Sequence, residues 1–208
     1  RPLGVLIRYA VDSPATLPLA GAPALSSARA VRPITGDIGV GFIGAGAFAR
    51  GVLLPLFQGR AGTVLRRVAT AHGLTAFDAQ RKFGFKEAGT DANEVLADPA
   101  VDLVCITTRH DAHAALVVES LRAGKHVFVE KPLALDEEQL CAVERAAEAS
   151  TGVLFVGFNR RFSPLAVAMR RALEGRGPLI ATYRVNAGAL PRGHWLNDPA
   201  VGGGRIIG

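Results

Sequence analysis

Three short polar clusters follow apolar runs, and each holds side chains that can do chemistry. Thr107, Thr108, Arg109, His110 and His113 follow Val101–Ile106; Glu130 and Lys131 follow His126–Val129; Asn159, Arg160 and Arg161 follow the run that ends at Phe158. Lys131, one of four lysines in the chain, stands between Glu130 and Pro132. An amine held at the end of a buried strand loses solvation, and its pKa falls toward the range useful for acid–base work. It can also donate a hydrogen bond to a substrate oxygen whose charge changes. Glu130 would orient it or cap a backbone group. A solvated Glu-Lys pair at a strand end is the plainer alternative. The Lys131–Pro132 bond is a candidate cis peptide, because tight turns at sites collect them.

A second feature binds rather than reacts. Ile38–Ala49 reads IGVGFIGAGAFA, an apolar strand running into a glycine bend and a helix start. Gly44, Gly46 and Ala49 stand at G-x-G-x-x-A spacing. The first glycine permits the tight turn, the second lets the backbone approach a pyrophosphate, and the third small residue lets the helix pack on the strand. The helix N-terminus then faces the phosphates with N–H groups and the positive end of its dipole. An acid near the end of the next strand would grip a ribose diol. None occurs between Gly44 and Asp78; Thr70, Ala71 and His72 fill that region, with Arg66 and Arg67 upstream. NADP is therefore permitted, and NAD stays open.

His110 and His113 are three residues apart, but zinc needs further ligands, and His72, His126 and His194 form no ligand pattern. The sequence names no metal site. His113 fits a ribose or nicotinamide contact, with helix capping as the alternative. No G-x-S-x-G elbow anchors a hydrolase triad.

The elements that must position these groups alternate. Strands are expected at 38–43, Thr63–Ala69, Val101–Thr107, His126–Glu130 and Val153–Phe158. Helices are expected up to Phe57 (kinked or ended at Pro55), at Ala76–Phe83, Asp91–Ala97, Ala112–Ala123 and Asp136–Ser150. Such alternation implies an α/β fold with a doubly wound, Rossmann-type parallel sheet covered on both faces. Ligands then bind at the carboxyl ends of the strands, where all three polar clusters fall. Beyond Asn159 the pattern changes to a helix, Pro164–Leu173, capped by Ser163, and a strand, Leu179–Ala187. The expected domains are a linker or the end of a preceding domain at 1–36, a dinucleotide-binding domain at 37–158, and the incomplete start of a second α/β domain at 159–208. Residues 1–36 are rich in Pro, Ala and Ser; Leu3–Ala10 could form a short strand, and a transit peptide is a weaker reading than a linker.

Composition narrows the class. The 208 residues carry a net charge of +6, distributed as +2 over residues 1–37, −2 over 38–150 and +6 over 151–208. No basic run is interleaved with aromatics, so nucleic acid is not the expected partner. The late surplus suits an anionic substrate, unless acids elsewhere balance it. No apolar run reaches the length of a membrane span. Two cysteines, Cys105 and Cys141, lack metal spacing and indicate a reducing, cytoplasmic setting.

GAGAFA, TTRHDAH, AGKHVFVEKPLA and GFNRRFSP together resemble the glucose–fructose oxidoreductase/inositol dehydrogenase (Gfo/Idh/MocA) family over residues 38–208. The tail, YRVNAGALPRGHWLNDPAVGGGRIIG, resembles the subgroup in which this module follows a zinc-type alcohol dehydrogenase domain. The resemblance implies NAD(P)-dependent oxidation of a sugar or cyclitol hydroxyl, or its reverse. It implies that Gly44, Gly46, Phe48 and Ala49 line the dinucleotide, that Thr107, Thr108, His110 and His113 lie along its ribose and nicotinamide, and that Glu130 and Lys131 are the EKP pair, with Lys131 near the reacting hydroxyl. Asn159, Arg161, Trp195 and Asp198 would approach the substrate. Arg109 departs from the family, which often has proline there. The family's catalytic histidine usually follows the GGGRIIG stretch, so it is expected beyond Gly208, and a 208-residue piece is expected to bind dinucleotide but turn over poorly. The sheet expected beyond residue 208 often forms subunit contacts in this family, which implies a homo-oligomer. A non-catalytic dinucleotide-binding sensor or scaffold is the alternative function.

Overall fold

Six strands form one parallel sheet in the order β3-β2-β1-β4-β5-β6 in the computed structural model. It describes residues 30–177, 180, 182 and 184–207. The strands are β1 (Ile38–Ile43), β2 (Thr63–Ala69), β3 (Glu87–Gly89), β4 (Leu103–Ile106), β5 (His126–Val129) and β6 (Leu154–Val156). The chain starts in the middle, winds outward to β3, then returns to β4 on the other side of β1. The crevice between β1 and β4 is the switch point at which such sheets bind ligands. Residues 31–208 form one compact unit of the chain.

Alternation along the strands splits the core in two. Val40, Phe42, Val68 and Cys105 pack with Leu54 and with Ala79 and Phe83 of α2 (Gly73–Phe83) on one face. Ile43, Val104, Ile106, Val127 and Val129 pack on the other face. Their partners there are α3 (Ala92–Ala97), α4 (His113–Arg122) and α5 (Glu137–Ala149). This two-sided burial explains why β4 reads as a continuous apolar run. Phe42 anchors its face: it is wholly buried and meets Phe57 and Phe85 edge-on at 5.7 and 5.8 Å.

The caps follow the sequence. Asp91, Asp136 and Ser163 each accept a backbone N–H, from Asn93, Gln139 and Ala166, at the starts of α3, α5 and α6 (Pro164–Leu173). Gly124 closes α4 at φ +70°, as a residue past a helix end often does.

Three expectations change, and one unforeseen contact appears. Pro55 does not end the first helix: a π-helical turn, Ala49–Leu53, precedes α1 (Leu54–Phe57), with the Leu54 N–H bonded to the Ala49 carbonyl. The wider turn accommodates a ring that would clash in a regular helix. The sequence reading has no β3; three residues without apolar alternation leave no periodic signal. Residues 184–187 carry no strand, while the rest of the expected Leu179–Ala187 strand lies partly outside the described residues. Leu3–Ala10 lies wholly outside them. Finally, residues 31–37 are tied to the sheet's amino edge. The Arg32 guanidinium pairs with Asp102 at 3.1 Å, its N–H donates to the Thr151 carbonyl, and its own carbonyl meets His126 Nε2 at 3.1 Å.

Phe42→Ala should cost about 3–5 kcal/mol, because the emptied volume lies between strand and helix and cannot collapse freely. Urea unfolding of the variant measures it.

Candidate functional site

The site grows from the bend after β1. Gly44 has φ +92°, and a Cβ there would lie 2.7 Å from the Thr107 carbonyl carbon and oxygen. Only glycine permits the backbones after β1 and β4 to come so close. The Thr107 hydroxyl donates to the Gly44 carbonyl at 2.8 Å, and the Thr107 N–H donates to Ile43 O at 2.8 Å. Gly46 is different. It is exposed, and a Cβ there would meet nothing within 4 Å. The chain's own packing does not require this glycine, which leaves open space beside the helix start. Ala49 is buried against the sheet, whereas Phe48 is 37% exposed.

The loops after β4 and β5 are joined by His113. Its ring is fully buried, with Nδ1 2.7 Å from Pro132 O and Nε2 3.3 Å from Thr108 O. Both partners are carbonyls, and a neutral imidazole has one N–H, so the shorter contact takes the proton on Nδ1. Burial holds this histidine below its ordinary pKa, against the opposing pull of the two carbonyls. No face of the ring is open to a ligand. It lies between the loops after β4 and β5, enclosed by the chain's own atoms. His110 is likewise buried, and its Nδ1 lies 2.8 Å from Gly202 O. Burial lowers its pKa as well.

The tail closes over this loop. The Trp195 ring meets His110 edge-on at 4.8 Å, and the Arg109 guanidinium lies 5.7 Å from the Trp195 ring centre. The Asp111 N–H donates to Val201 O. Gly202 must be small, since a Cβ would stand 2.5 Å from the Leu196 Cα. Trp195 thus props the loop, and Asp198 shapes its own turn by accepting the Ala200 N–H at 2.9 Å. Neither lines the cleft described next.

That cleft, of about 1020 Å³, lies beyond β5 and β6. Lys131, Asn159 and Arg161 line it together, with Arg160. The structure thus joins three of the five residues assigned from sequence to catalysis and substrate. Nothing in the sequence tells which of two adjacent arginines faces the cleft; in the structure both line it. Lys131 is exposed; the solvent loss expected for it is not supplied by the chain itself. The Lys131–Pro132 bond is cis, as anticipated. Glu130 is half-buried, and its Oε1 is buried with no hydrogen-bond partner among the described residues. Burial raises its pKa, opposed by the backbone N–H and charge of Lys131. At the end of β2, Thr70 is buried and donates to the His72 carbonyl at 2.8 Å. Arg67 is occupied by Glu87, Glu94 and Asp98. Among the described residues, no cluster of three or more His, Cys, Asp or Glu could hold a metal ion. No helix among them is long and apolar enough to cross a membrane.

A 3-2-1-4-5-6 parallel sheet with a glycine bend at its switch point defines the dinucleotide-binding class of α/β folds. Residues 38–158 match the Gfo/Idh/MocA oxidoreductase family with its NAD-binding Rossmann fold, and the chain belongs to that family. Inositol 2-dehydrogenase of Rhizobium meliloti is 37% identical over 134 residues, 64% of this chain and 40% of that protein. Levoglucosan dehydrogenase of Pseudarthrobacter phenanthrenivorans is 33% identical over 152 residues, 72% of this chain and 39% of that protein. Among solved structures, levoglucosan dehydrogenase with NADH and L-sorbose superposes at TM-score 0.60 with 30% identity, covering 67% of this chain and 39% of that one. KijD10, a 3-ketoreductase from Actinomadura kijaniata, in complex with TDP-benzene and NADP, superposes at 0.61 with 28% identity, covering 66% and 43%. The chain spans about two fifths of the length of these relatives.

Two observations fit a dinucleotide: the open space at Gly46 and the unpartnered Glu130 Oε1. Gly44→Ala should destabilise the fold by more than about 1 kcal/mol, through strain at positive φ and a backbone clash. Gly46→Ala should leave stability within about 0.5 kcal/mol while weakening NADH binding at least about tenfold. Paired thermal melts and fluorescence titrations read the contrast. A histidine with a depressed native pKa favours folding above its unfolded pKa, and that contribution is lost as pH falls from the ordinary 6.5 through the native value. Glu130, raised in the native state, contributes the opposite slope. Replacing His113 by Gln should therefore lower stability at pH 7 and flatten its decline below pH 6.5, measured by unfolding at stepped pH.

Proposed function

We propose that the protein is an NAD(P)-dependent oxidoreductase that moves a hydride between the cofactor and the carbinol or carbonyl carbon of a sugar-like or cyclitol substrate. One observation carries the reading: Lys131, Asn159 and Arg161 line one cleft at the sheet edge where the glycine bend lies. Relatives named for inositol and levoglucosan support the substrate class.

Gly44 and Gly46 give the pyrophosphate a close backbone approach, with Phe48, Ala49, Thr107 and Thr108 around it. Glu130 Oε1 accepts a hydrogen bond from the bound cofactor. NADH-type and NADP-type complexes both occur among the similar structures, and the loop after β2 carries no acid against a 2′-phosphate. NAD or NADP is therefore the cofactor. When bound, its nicotinamide supplies or accepts the hydride.

Lys131 Nζ donates a hydrogen bond to the reacting oxygen and stabilises the negative charge that develops as its proton leaves. Asn159 and Arg161 orient the substrate, and holding the reactants in line supplies much of the rate. His110 and His113 act on the loops: His113 Nδ1 donates to the Pro132 carbonyl beside Lys131, and His110 Nδ1 meets the Gly202 carbonyl. The resemblance assigns the proton acceptor to a histidine after the GGGRIIG stretch, and places the module behind an alcohol dehydrogenase domain; the uncut reading frame tests both.

Lys131→Ala in the full-length protein should lower kcat at least about a hundredfold with NADH and NADPH affinity unchanged. Steady-state kinetics and fluorescence titration are the measurements. Unaltered turnover would favour a non-catalytic dinucleotide-binding module. Failure of both nucleotides to bind would refute the oxidoreductase reading altogether.

A further inference from the structure

We infer that the substrate carries an anionic group, a carboxylate or a phosphate, which Arg161 and Arg160 hold in the cleft that Lys131 lines. The inference rests on the oxidoreductase reading and specifies the substrate class for the same site.

The cleft is one-sided in charge. Lys131, Arg160 and Arg161 line it, and none of the described lining residues is Asp or Glu. Lysine and arginine side chains only donate hydrogen bonds. A neutral polyol both donates and accepts, so its recognition calls on acceptor side chains too. Here Asn159 and Asn186 are the described lining side chains with an accepting oxygen, besides main-chain carbonyls, against three side chains that carry positive charge. An acceptor-rich, negatively charged group fits such a wall better than a ring of hydroxyls does.

Arg161 is oriented beforehand. Its Nε donates to the Phe158 carbonyl at 3.2 Å, and its guanidinium carbon lies 6.0, 5.5 and 5.6 Å from the ring centres of Phe155, Phe158 and Phe162. Ring faces attract the cation without neutralising it. A guanidinium held beside ring faces keeps N–H groups for the paired contact that carboxylates and phosphates accept. The three phenyl rings are all more than 40% exposed, so this arrangement is not a buried core contact but a surface one, and Phe158 and Arg161 of it line the cleft. The cleft's volume lies at the upper end of the usual 300–1,000 Å³ range for small-molecule sites, which leaves room for a sugar with a charged substituent.

Calorimetry on the full-length protein saturated with its dinucleotide tests this with three probes: D-glucose, D-glucuronate and D-glucose 6-phosphate. One of the two acids should bind at least about tenfold tighter than glucose, the effect of one charge-assisted contact. A preference for glucuronate identifies a carboxylate group; a preference for glucose 6-phosphate identifies a phosphate. Arg161→Met keeps an apolar stem over the phenyl rings and should abolish the preference; Arg161→Lys keeps the charge and should retain part of it. In turnover the loss should appear in KM more than in kcat. Binding of both acids no tighter than glucose, including no binding of any probe, overturns the inference. So does a preference that survives Arg160→Met and Arg161→Met combined. Loss of dinucleotide binding in the unaltered protein would instead overturn the oxidoreductase reading on which it rests.

Discussion

Where β1 and β4 end, two backbones approach to a distance that excludes even a methyl group. Gly44 makes this contact possible, and the Thr107 hydroxyl fastens it through the Gly44 carbonyl. Everything nearer the chemistry depends on it. Thr108 is the next residue, and its carbonyl faces the ring of His113. That ring reaches Pro132 and so fixes the turn carrying Lys131. Two hydrogen bonds and the packed His113 ring thus connect the glycine bend to the turn that carries the amine. Each link is buried or half-buried, where a satisfied polar contact holds geometry firmly and a broken one is costly.

The tail adds a second support from outside the sheet. His110 and Asp111 bond to the Gly202 and Val201 backbones, and Trp195 lies between His110 and Arg109. The loop after β4 is therefore held from both sides. The same tail contributes Leu196 and Gly204 to the cleft wall. Loop support and cleft wall come from one segment, which ties the shape of the cleft to the position of the loop after β4.

Much of this was legible in the chain. Strand β2 and helix α6 stand where the sequence reading puts them, because apolar alternation and a Ser-Pro start are local signals. Asp91, Asp136 and Ser163 cap as their side-chain chemistry dictates. The parallel sheet follows from alternation of element types. What escaped was non-local. Strand β3 is an edge strand of three residues, formed by pairing with β2 and not by any pattern of its own. The helix after the bend passes Pro55 because a π-helical turn absorbs the ring, an adjustment no spacing rule reveals.

The division is clearest at the site. The sequence by itself determined which groups gather at one edge: parallel strands all end on the same side, so polar residues after β4, β5 and β6 must share it. It also determined the glycine bend, since positive φ and close approach are properties of the residue type. Only the tertiary structure decided what each group faces. His113 is identical in sequence terms to a ligand-contacting histidine, yet packing buries it between two carbonyls. Trp195 props a loop and Asp198 shapes its own turn, while Arg160 lines the cleft. Side-chain direction is set by contacts such as His110 with Gly202, 92 residues apart, and no local pattern encodes a contact whose partner lies elsewhere in the chain.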